Sequence, residues 1–588
     1  MKKILFIALT ALLFTGCESF LDTESYTKKN TGNYPMTAND ALQMITGVYA
    51  TLNKPLANCG NTYYFLSQLA SDDMYGGGGE NDKYFQTLDH LLYVNSDQFK
   101  TFWSDRYSGI SRANMAIANL DKVEDENLRN QLMGEALTLR SFFYFELAQM
   151  FENVPLITEV PQTVGEVSEY PAQSSPENIY AFIAAGLQKA ISIMPNDKYN
   201  ALVSGEGHLS KWAAEALLAR VWLFYTGFYG KTELPVMDDE FNISGSIAKA
   251  EVISAVEDCI NNSGHSLAPD YRSIWAYTNS LSKKDYPYAA GAPTWLKDGT
   301  NPEVVFDIKC SHLASWSTTT GYSNQYMLFF APRNDGDGNR YKKLFPFGQG
   351  WGAGPVSSRL WKDWQAKEPT DVRRAASIYD SSTECSDYAF GADSQMEETG
   401  FWNKKVVNIT GAKNYNADGT IKDLYNHFTS STDYYGDGEA DDFQLGSEVN
   451  VILVRFADVL LMHSELTETA DKMNLVRARA GLAPVSYSLE NLQNERRWEL
   501  AFEGLRWADM RRWGDTYCMN ALTKQIGDDI YNRGVATTMK DQMAGYAARY
   551  QATRGFFMLP SSEVDLSNGV LKQNPGWGTD AIFVNWVD

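Results

Sequence analysis

The sequence predicts a mainly α-helical fold, a tetratricopeptide-like scaffold of stacked helices with a large irregular, loop-rich, strand-containing region. Three observations carry this. Apolar residues recur at spacings of three and four through the first and last parts of the chain, the signature of amphipathic helices. Those stretches open and close with helix start and stop residues. Between about 266 and 445 the helical period disappears, and Gly, Asp, Asn, Ser and aromatics alternate with short runs such as Val304-Val305-Phe306-Asp307-Ile308. The paired helices and short loops suggest tetratricopeptide-like stacking, although no strict repeat of about 34 residues is present.

The elements follow in order. Thr37-Ala38-Asn39-Asp40 has the form of a capping box ahead of Ala41, Leu42, Ile45, Val48 and Tyr49. Leu132, Ala136, Leu139, Phe143, Leu147 and Met150 build one apolar helix face. Ser175-Pro176 supplies an N-cap and a first-turn proline before Ile179, Phe182 and Ile183. Ser210 opens a further helix through Ala213, Ala216, Leu217, Val221 and Phe224, its alanines suited to close helix packing. In the last part, helices are expected over 449–466, over 471–480 with Gly481 and Pro484 as the stop, and over 490–513. The last carries Trp498, Ala501, Phe502 and Leu505 on one face and ends at Gly514.

The N-terminus sets the compartment. Lys2 and Lys3 precede an apolar run over 4–14 and then Thr15-Gly16-Cys17, the pattern of a secretory signal peptide over 1–16. Leu13-Phe14-Thr15-Gly16-Cys17 resembles a bacterial lipobox, which implies acyl chains such as palmitate on Cys17 and stable membrane anchoring. The chain divides into a lipidated tether at 17–36, an N-terminal helical region at 37–265, a loop-rich ligand-presenting region at 266–445 and a C-terminal helical region at 446–588. Contact with the membrane is expected through the lipid anchor only.

Composition excludes several functions. With 51 Lys and Arg against 73 Asp and Glu in 588 residues, the net charge is −22, opposite in sign to what binding a phosphate backbone requires. Nucleic acid is therefore not expected as a partner. Runs of about 20 apolar residues are absent, which excludes a polytopic membrane protein. Cys59, Cys259, Cys310, Cys385 and Cys518 stand more than fifty residues apart, a spacing that supports isolated buried thiols rather than a disulfide framework or zinc knuckle.

Enzyme signatures are missing as well. Gly230-Lys231-Thr232 ends like a phosphate loop, but Tyr225 stands where its first glycine belongs, and a helix terminus is the better reading. The Gly-rich stretches 76–79 and 348–352 read as tight loops without dinucleotide-site context. The histidines form no zincin pattern, and no Gly-x-Ser-x-Gly elbow occurs. Asp335, Asp337 and Asn339 start like a calcium loop, but Arg340 and Pro346 occupy its sixth and twelfth positions, so an Asp/Gly turn is favoured. No catalytic residue and no cofactor are predicted.

The aromatic residues are concentrated. Six of the fifteen tryptophans fall within the 90 residues from Trp275 to Trp364. Flat rings in a Gly-rich loop region suit the C–H faces of sugars, with Asn, Asp and Gln available for the hydroxyls. Trp275, Tyr277, Tyr286, Trp295, Trp316 and Tyr322, with Tyr75 beside the first Gly-rich loop, are the candidate ligand contacts. The competing reading is a small satellite core beneath the loops.

Several motifs occur together and in order: Cys17-Glu18-Ser19-Phe20-Leu21-Asp22; Glu135 to Leu147 with Asn153-Val154-Pro155-Leu156; Arg455-Phe456-Ala457-Asp458; Val476-Arg477-Ala478-Arg479-Ala480-Gly481; Glu495-Arg496-Arg497-Trp498-Glu499 running to Glu503-Gly504; and Lys572-Gln573-Asn574-Pro575-Gly576. In these the chain resembles the SusD/RagB family of surface glycan-binding lipoproteins of Bacteroidetes. The resemblance implies a non-enzymatic protein on the outer membrane, facing the exterior, that holds oligosaccharide over a SusC-like TonB-dependent transporter for import. A peptide-capturing variant and a secreted glycoside hydrolase are the alternatives. Arg496, Glu499 and Glu503 are expected to be structural, flanking a buried stripe and solvating its outer face.

Overall fold

The computed structural model describes residues 34–35, 37–160, 170–196, 207–297, 299–311, 314–316, 319–333, 343–385, 387–410, 413–419, 421–424, 444–445, 447–584 and 586. Residues 1–33, Cys17 among them, and the calcium-like Asp335, Asp337 and Asn339 lie outside the described residues.

Long helices Ala38–Asn53 (α1), Lys100–Asn119 (α2), Glu126–Phe151 (α3), Pro176–Ile193 (α4), Lys211–Tyr229 (α5) and Lys249–Asn262 (α6) build the first part of the scaffold. Each packs on the next: α1 on α2, α2 on α3, α3 on α4, α4 on α5 and α5 on α6. The stack continues across the loop-rich region, where Phe456–Thr467 (α7) docks on α6 and Asp471–Arg479 (α8) on α7. Helix-on-helix stacking in this order is tetratricopeptide-like.

The local signals act as read. Thr37 Oγ1 accepts from the Asp40 amide at 3.2 Å, and Ser175 Oγ accepts from that of Asn178 at 3.3 Å, with Pro176 in the first turn. Ser210 precedes α5, but its side chain makes no capping bond. Gly230 closes α5 in the left-handed conformation at φ 64°, so Gly230-Lys231-Thr232 is a helix terminus.

Two elements differ from expectation. The stretch 449–466 is not one helix. Its β-branched start forms strand Val451–Arg455, antiparallel to Val304–Ile308, with Val304 opposite Arg455 and Ile308 opposite Val451. The stretch 490–513 is broken into Leu489–Glu499 (α9) and Arg506–Arg512 (α10). Phe502 at φ 66° and Gly504 at φ 76° make the break. The Tyr64 hydroxyl donates to the Phe502 carbonyl at 3.2 Å, so a partner more than 430 residues away stabilises the turn.

Helix α3 is also more central than its periodicity suggests. From Gly134 to Phe151 it is buried on every side. Its polar residues are matched rather than solvated: Arg140 donates to Asn114 Oδ1 at 2.8 Å, and Glu146 pairs with Arg106 at 2.6 Å. Gly109 of α2 permits the close approach, since a Cβ there would lie 2.6 Å from the Phe143 ring.

The main core runs from Ala41 to Ala581 and takes Phe306, Tyr326 and Trp364 from the loop-rich region. A satellite core under the loops gathers Tyr271, Trp275, Tyr277, Tyr286, Phe347 and Trp402. The change of sequence character at 266 and 445 thus does not separate the core.

The charges of the Glu495–Glu503 motif do not solvate an outer face. Arg496, Glu499 and Glu503 are buried. Arg455 donates to Glu303 at 3.0 Å and to Glu499 at 2.5 Å. Arg373 reaches Glu495 at 2.6 Å and Glu499 at 2.8 Å, and Arg479 also contacts Glu499. Burial alone would raise the Glu499 carboxyl, but Arg479, Arg455 and Arg373 outweigh it and hold that carboxyl well below its ordinary value. The motif is a buried ionic joint between the loop-rich region and the C-terminal helices.

Candidate functional site

A cleft of about 170 Å³ opens where the N-terminal end of α5 meets the strand pair 304–308 and 451–455 and the turns of the satellite core. Trp275 and Trp295 lie on its aromatic side, His208 and Ser210 on the α5 side. The short 3₁₀ turns Tyr271–Ile274 and Ala276–Thr278 place Trp275, and the Trp295 amide bonds to the Thr278 carbonyl at 3.2 Å. The strand pair brings Asp307, Lys309 and Asn450 to the same wall.

The polar groups are held in place. Asp307 Oδ2 accepts from Asn450 Nδ2 at 2.8 Å and Lys309 Nζ at 3.2 Å. Asn450 Oδ1 accepts from the Cys310 amide at 3.0 Å, and Asn324 Nδ2 donates to the Val449 carbonyl at 2.9 Å. Among the described residues, two buried atoms on lining residues have no hydrogen-bond partner, the Trp275 Nε1–H donor and the Asn324 Oδ1 acceptor. Buried polar atoms of this kind call for a ligand group or water.

Charge in the cleft is moderated by burial. Burial pushes the Lys405 ammonium down to about 8 although Glu503 accepts from it at 2.8 Å. Lys405 Nζ also lies 4.8 Å from the Trp275 ring centre, a cation–π contact. Burial lowers the His208 imidazole pKa, but the hydrogen bond and charge of Glu135, 2.8 Å away, prevail and raise it above its ordinary value.

The seven candidate aromatics separate by environment. Trp275 is only 5% exposed and Trp295 half-buried; both line the cleft. Trp316 and Tyr322 are 58% and 43% exposed. They sit on the loop after strand 304–308, where the Ser311 amide bonds to the Tyr322 carbonyl at 2.7 Å. Tyr277 and Tyr286 belong to the satellite core, their hydroxyls committed to the Ala376 carbonyl at 2.9 Å and to Glu384 at 2.5 Å. Tyr75 is fully buried and donates to Asp528 at 3.2 Å. These last three rings offer no open face, and their packing gives the reason: each hydroxyl finds a partner that lets the ring be buried.

Asn324, Asn450, Asp307 and His208 complete the cleft and were not singled out by sequence. They come from four separate segments, and no spacing in the chain signals their meeting. The two Gly-rich loops, read separately, also join. The Gly78 amide donates to the Gly352 carbonyl at 2.8 Å and that of Gly354 to Gly76 at 3.0 Å. Among the described residues one group, Asp89, His90 and Glu397, brings three metal-ligating atoms within 4.8 Å of one another. No helix there is long and apolar enough to cross a membrane. The five cysteines after Cys17 are free; Cys310 is half-buried and the others buried.

Stacked helices with an aromatic cleft formed by inserted loops define a tetratricopeptide-like helical scaffold rather than an α/β or β-barrel frame. The chain belongs to the SusD family, whose sequence profile matches residues 284–577. A second profile, described as "Starch-binding associating with outer membrane", matches residues 19–223. Among relatives, "SusD-like protein P2" of Formosa agariphila is 24% identical over 612 residues, covering 98% of this chain and 99% of its own. Among solved structures, a "Laminarin binding SusD-like protein" superposes with a TM-score of 0.65 at 24% identity, covering 92% of this chain and 100% of its own. "Surface glycan-binding protein A from Bacteroides thetaiotaomicron in complex with laminarihexaose" gives a TM-score of 0.64 at 18% identity, with 92% and 99% covered. At these identities the superpositions establish the fold.

Proposed function

We propose that this protein is a lipid-anchored receptor on the outer face of the outer membrane. It binds oligosaccharide in the cleft beside Trp275 and Trp295 and passes it to a SusC-like TonB-dependent transporter, without catalysis. The observation that carries the reading is the pairing of an aromatic wall with an unpaired donor, Trp275 Nε1, and an unpaired acceptor, Asn324 Oδ1. A sugar hydroxyl both donates and accepts, so carbohydrate can satisfy both kinds of group while a ring face stacks on indole. Trp316 and Tyr322, exposed on the loop after strand 304–308, are on this reading the rings left for further sugar residues. Names of similar structures that mention laminarin and laminarihexaose support glycan over peptide.

Calorimetric titration of the full chain with laminarin-type, xyloglucan-type and starch-type oligosaccharides tests this. One class should bind with a Kd that rises tenfold or more in Trp295→Ala. If no glycan class binds, or the variant binds as tightly as the parent, the cleft is not the site. Recovery of a TonB-dependent transporter on affinity purification from membranes tests the partner.

A further inference from the structure

Well away from the cleft, three metal-ligating side chains meet under the first Gly-rich loop. Asp89 ends the short helix Lys83–Asp89, His90 is its C-cap, and Glu397 arrives from the loop opposite. All three are buried. His90 Nε2 lies 3.4 Å from Glu397 Oε1 and 3.9 Å from Asp89 Oδ2. Donors about 2.0–2.2 Å from a tetrahedral zinc ion stand roughly 3.4 Å apart, so the spacing suits such an ion with little movement.

Charge and hydrogen bonding point the same way. Several other buried carboxylates are matched by a permanently charged arginine: Asp72 by Arg506, Glu146 by Arg106 and Asp458 by Arg220. Asp89 and Glu397 have only His90 within ion-pairing distance among the described residues. Each carboxylate also has one oxygen oriented by an outer partner. The Gly77 amide donates to Glu397 Oε2 at 2.9 Å, and the Tyr546 hydroxyl to Asp89 Oδ2 at 3.3 Å. Asp89 Oδ1 is buried with no partner.

We propose that Asp89, His90 and Glu397 form a structural site for a zinc-class divalent cation, with Tyr546 and the Gly77 amide as its outer shell. One imidazole and two carboxylates are a mixed N/O set that suits Zn²⁺ better than the all-oxygen preference of Ca²⁺ or Mg²⁺. The ion joins segments that are more than 300 residues apart and fixes the Gly-rich loop through Gly77. It is independent of the glycan reading, since none of these residues lines the cleft.

The test uses the full chain stripped with EDTA, reloaded with zinc chloride and desalted, with bound metal measured by plasma mass spectrometry. About one zinc per chain is expected, with a raised Tm on reloading. His90→Gln and Glu397→Gln should lose the ion, and Tyr546→Phe should weaken it by about tenfold or more. His208→Gln, which alters the half-buried histidine at the cleft, should keep it. Substoichiometric zinc in the unaltered chain, calcium uptake in preference to zinc, or equal zinc in His90→Gln would each overturn the proposal. The first two readouts need no variant, so a variant that fails to fold leaves the test intact.

Discussion

Arg455 and Glu503 are joined twice, Nε to Oε2 at 2.7 Å and Nη2 to Oε1 at 2.9 Å, with both side chains buried. Glu503 also accepts from Lys405, and Arg455 continues to Glu303, so one fork fixes the strand pair behind the cleft to the turn between α9 and α10. Glu503→Gln leaves a buried guanidinium and ammonium short of one negative charge. A loss of about 3–5 kcal/mol is expected on urea unfolding. A loss below about 1 kcal/mol would mean that Glu303 and Glu499 already balance those cations.

The aromatic residues should separate into two classes by experiment. Trp316→Ala removes a ring that is 58% exposed and should weaken glycan binding with little change in Tm. Tyr277→Ala empties a fully buried site and drops a hydrogen bond, so about 3–5 kcal/mol of stability should be lost. Paired calorimetry and thermal melts read both effects. Equal melting temperatures for the two variants would contradict the burial assignment.

Acid should act through Asp458. Burial raises its carboxyl, but Arg220 and Arg496 outweigh that and bring it from 3.8 to about 2. A depressed carboxylate contributes stability that is present above its unfolded value and is lost as pH falls through the folded one. The window therefore runs from about pH 4 down to about pH 2, and the contribution is about 2 kcal/mol. Denaturant midpoints measured across this range should fall for the unaltered chain and fall less steeply for Asp458→Asn.

Gly77 turns at φ 66°, and an added Cβ would lie 2.3 Å from Pro355 Cδ and 2.5 Å from the Gly352 carbonyl. Gly77→Ala should cost about 1–3 kcal/mol by combining a strained conformation with a clash between the two Gly-rich loops. Gly291 has a similar φ of 77° but open space around it, so Gly291→Ala should cost less. Comparing the two variants by thermal melts isolates the clash from the backbone term.

Much of the scaffold was legible because helix signals are local. Thr37, Ser175-Pro176 and Gly230 act within one turn of their own positions, and the apolar period from Leu132 to Met150 marks a helix, though its burial on every side was not legible there. The strand 451–455 was hidden because a short β-branched run reads equally as buried helix until its partner at 304–308 is known. The break at Phe502 was hidden because Tyr64, far away in sequence, helps to stabilise it.

The candidate site was legible in kind more than in detail. The sequence by itself determined a stacked helical scaffold, an acidic body, a loop region rich in aromatics and the motifs that mark the family. Composition and periodicity carry these, since each is a property of neighbouring residues. Tertiary structure alone decided which rings are open. Tyr75, Tyr277 and Tyr286 are buried because Asp528, the Ala376 carbonyl and Glu384 satisfy their hydroxyls, whereas Trp316 and Tyr322 remain exposed. It also decided that Asn324 and Asn450 share a wall with Trp275, and that Glu397 faces His90 across 307 positions. Burial and convergence depend on long-range contacts, and local sequence spacing does not encode those.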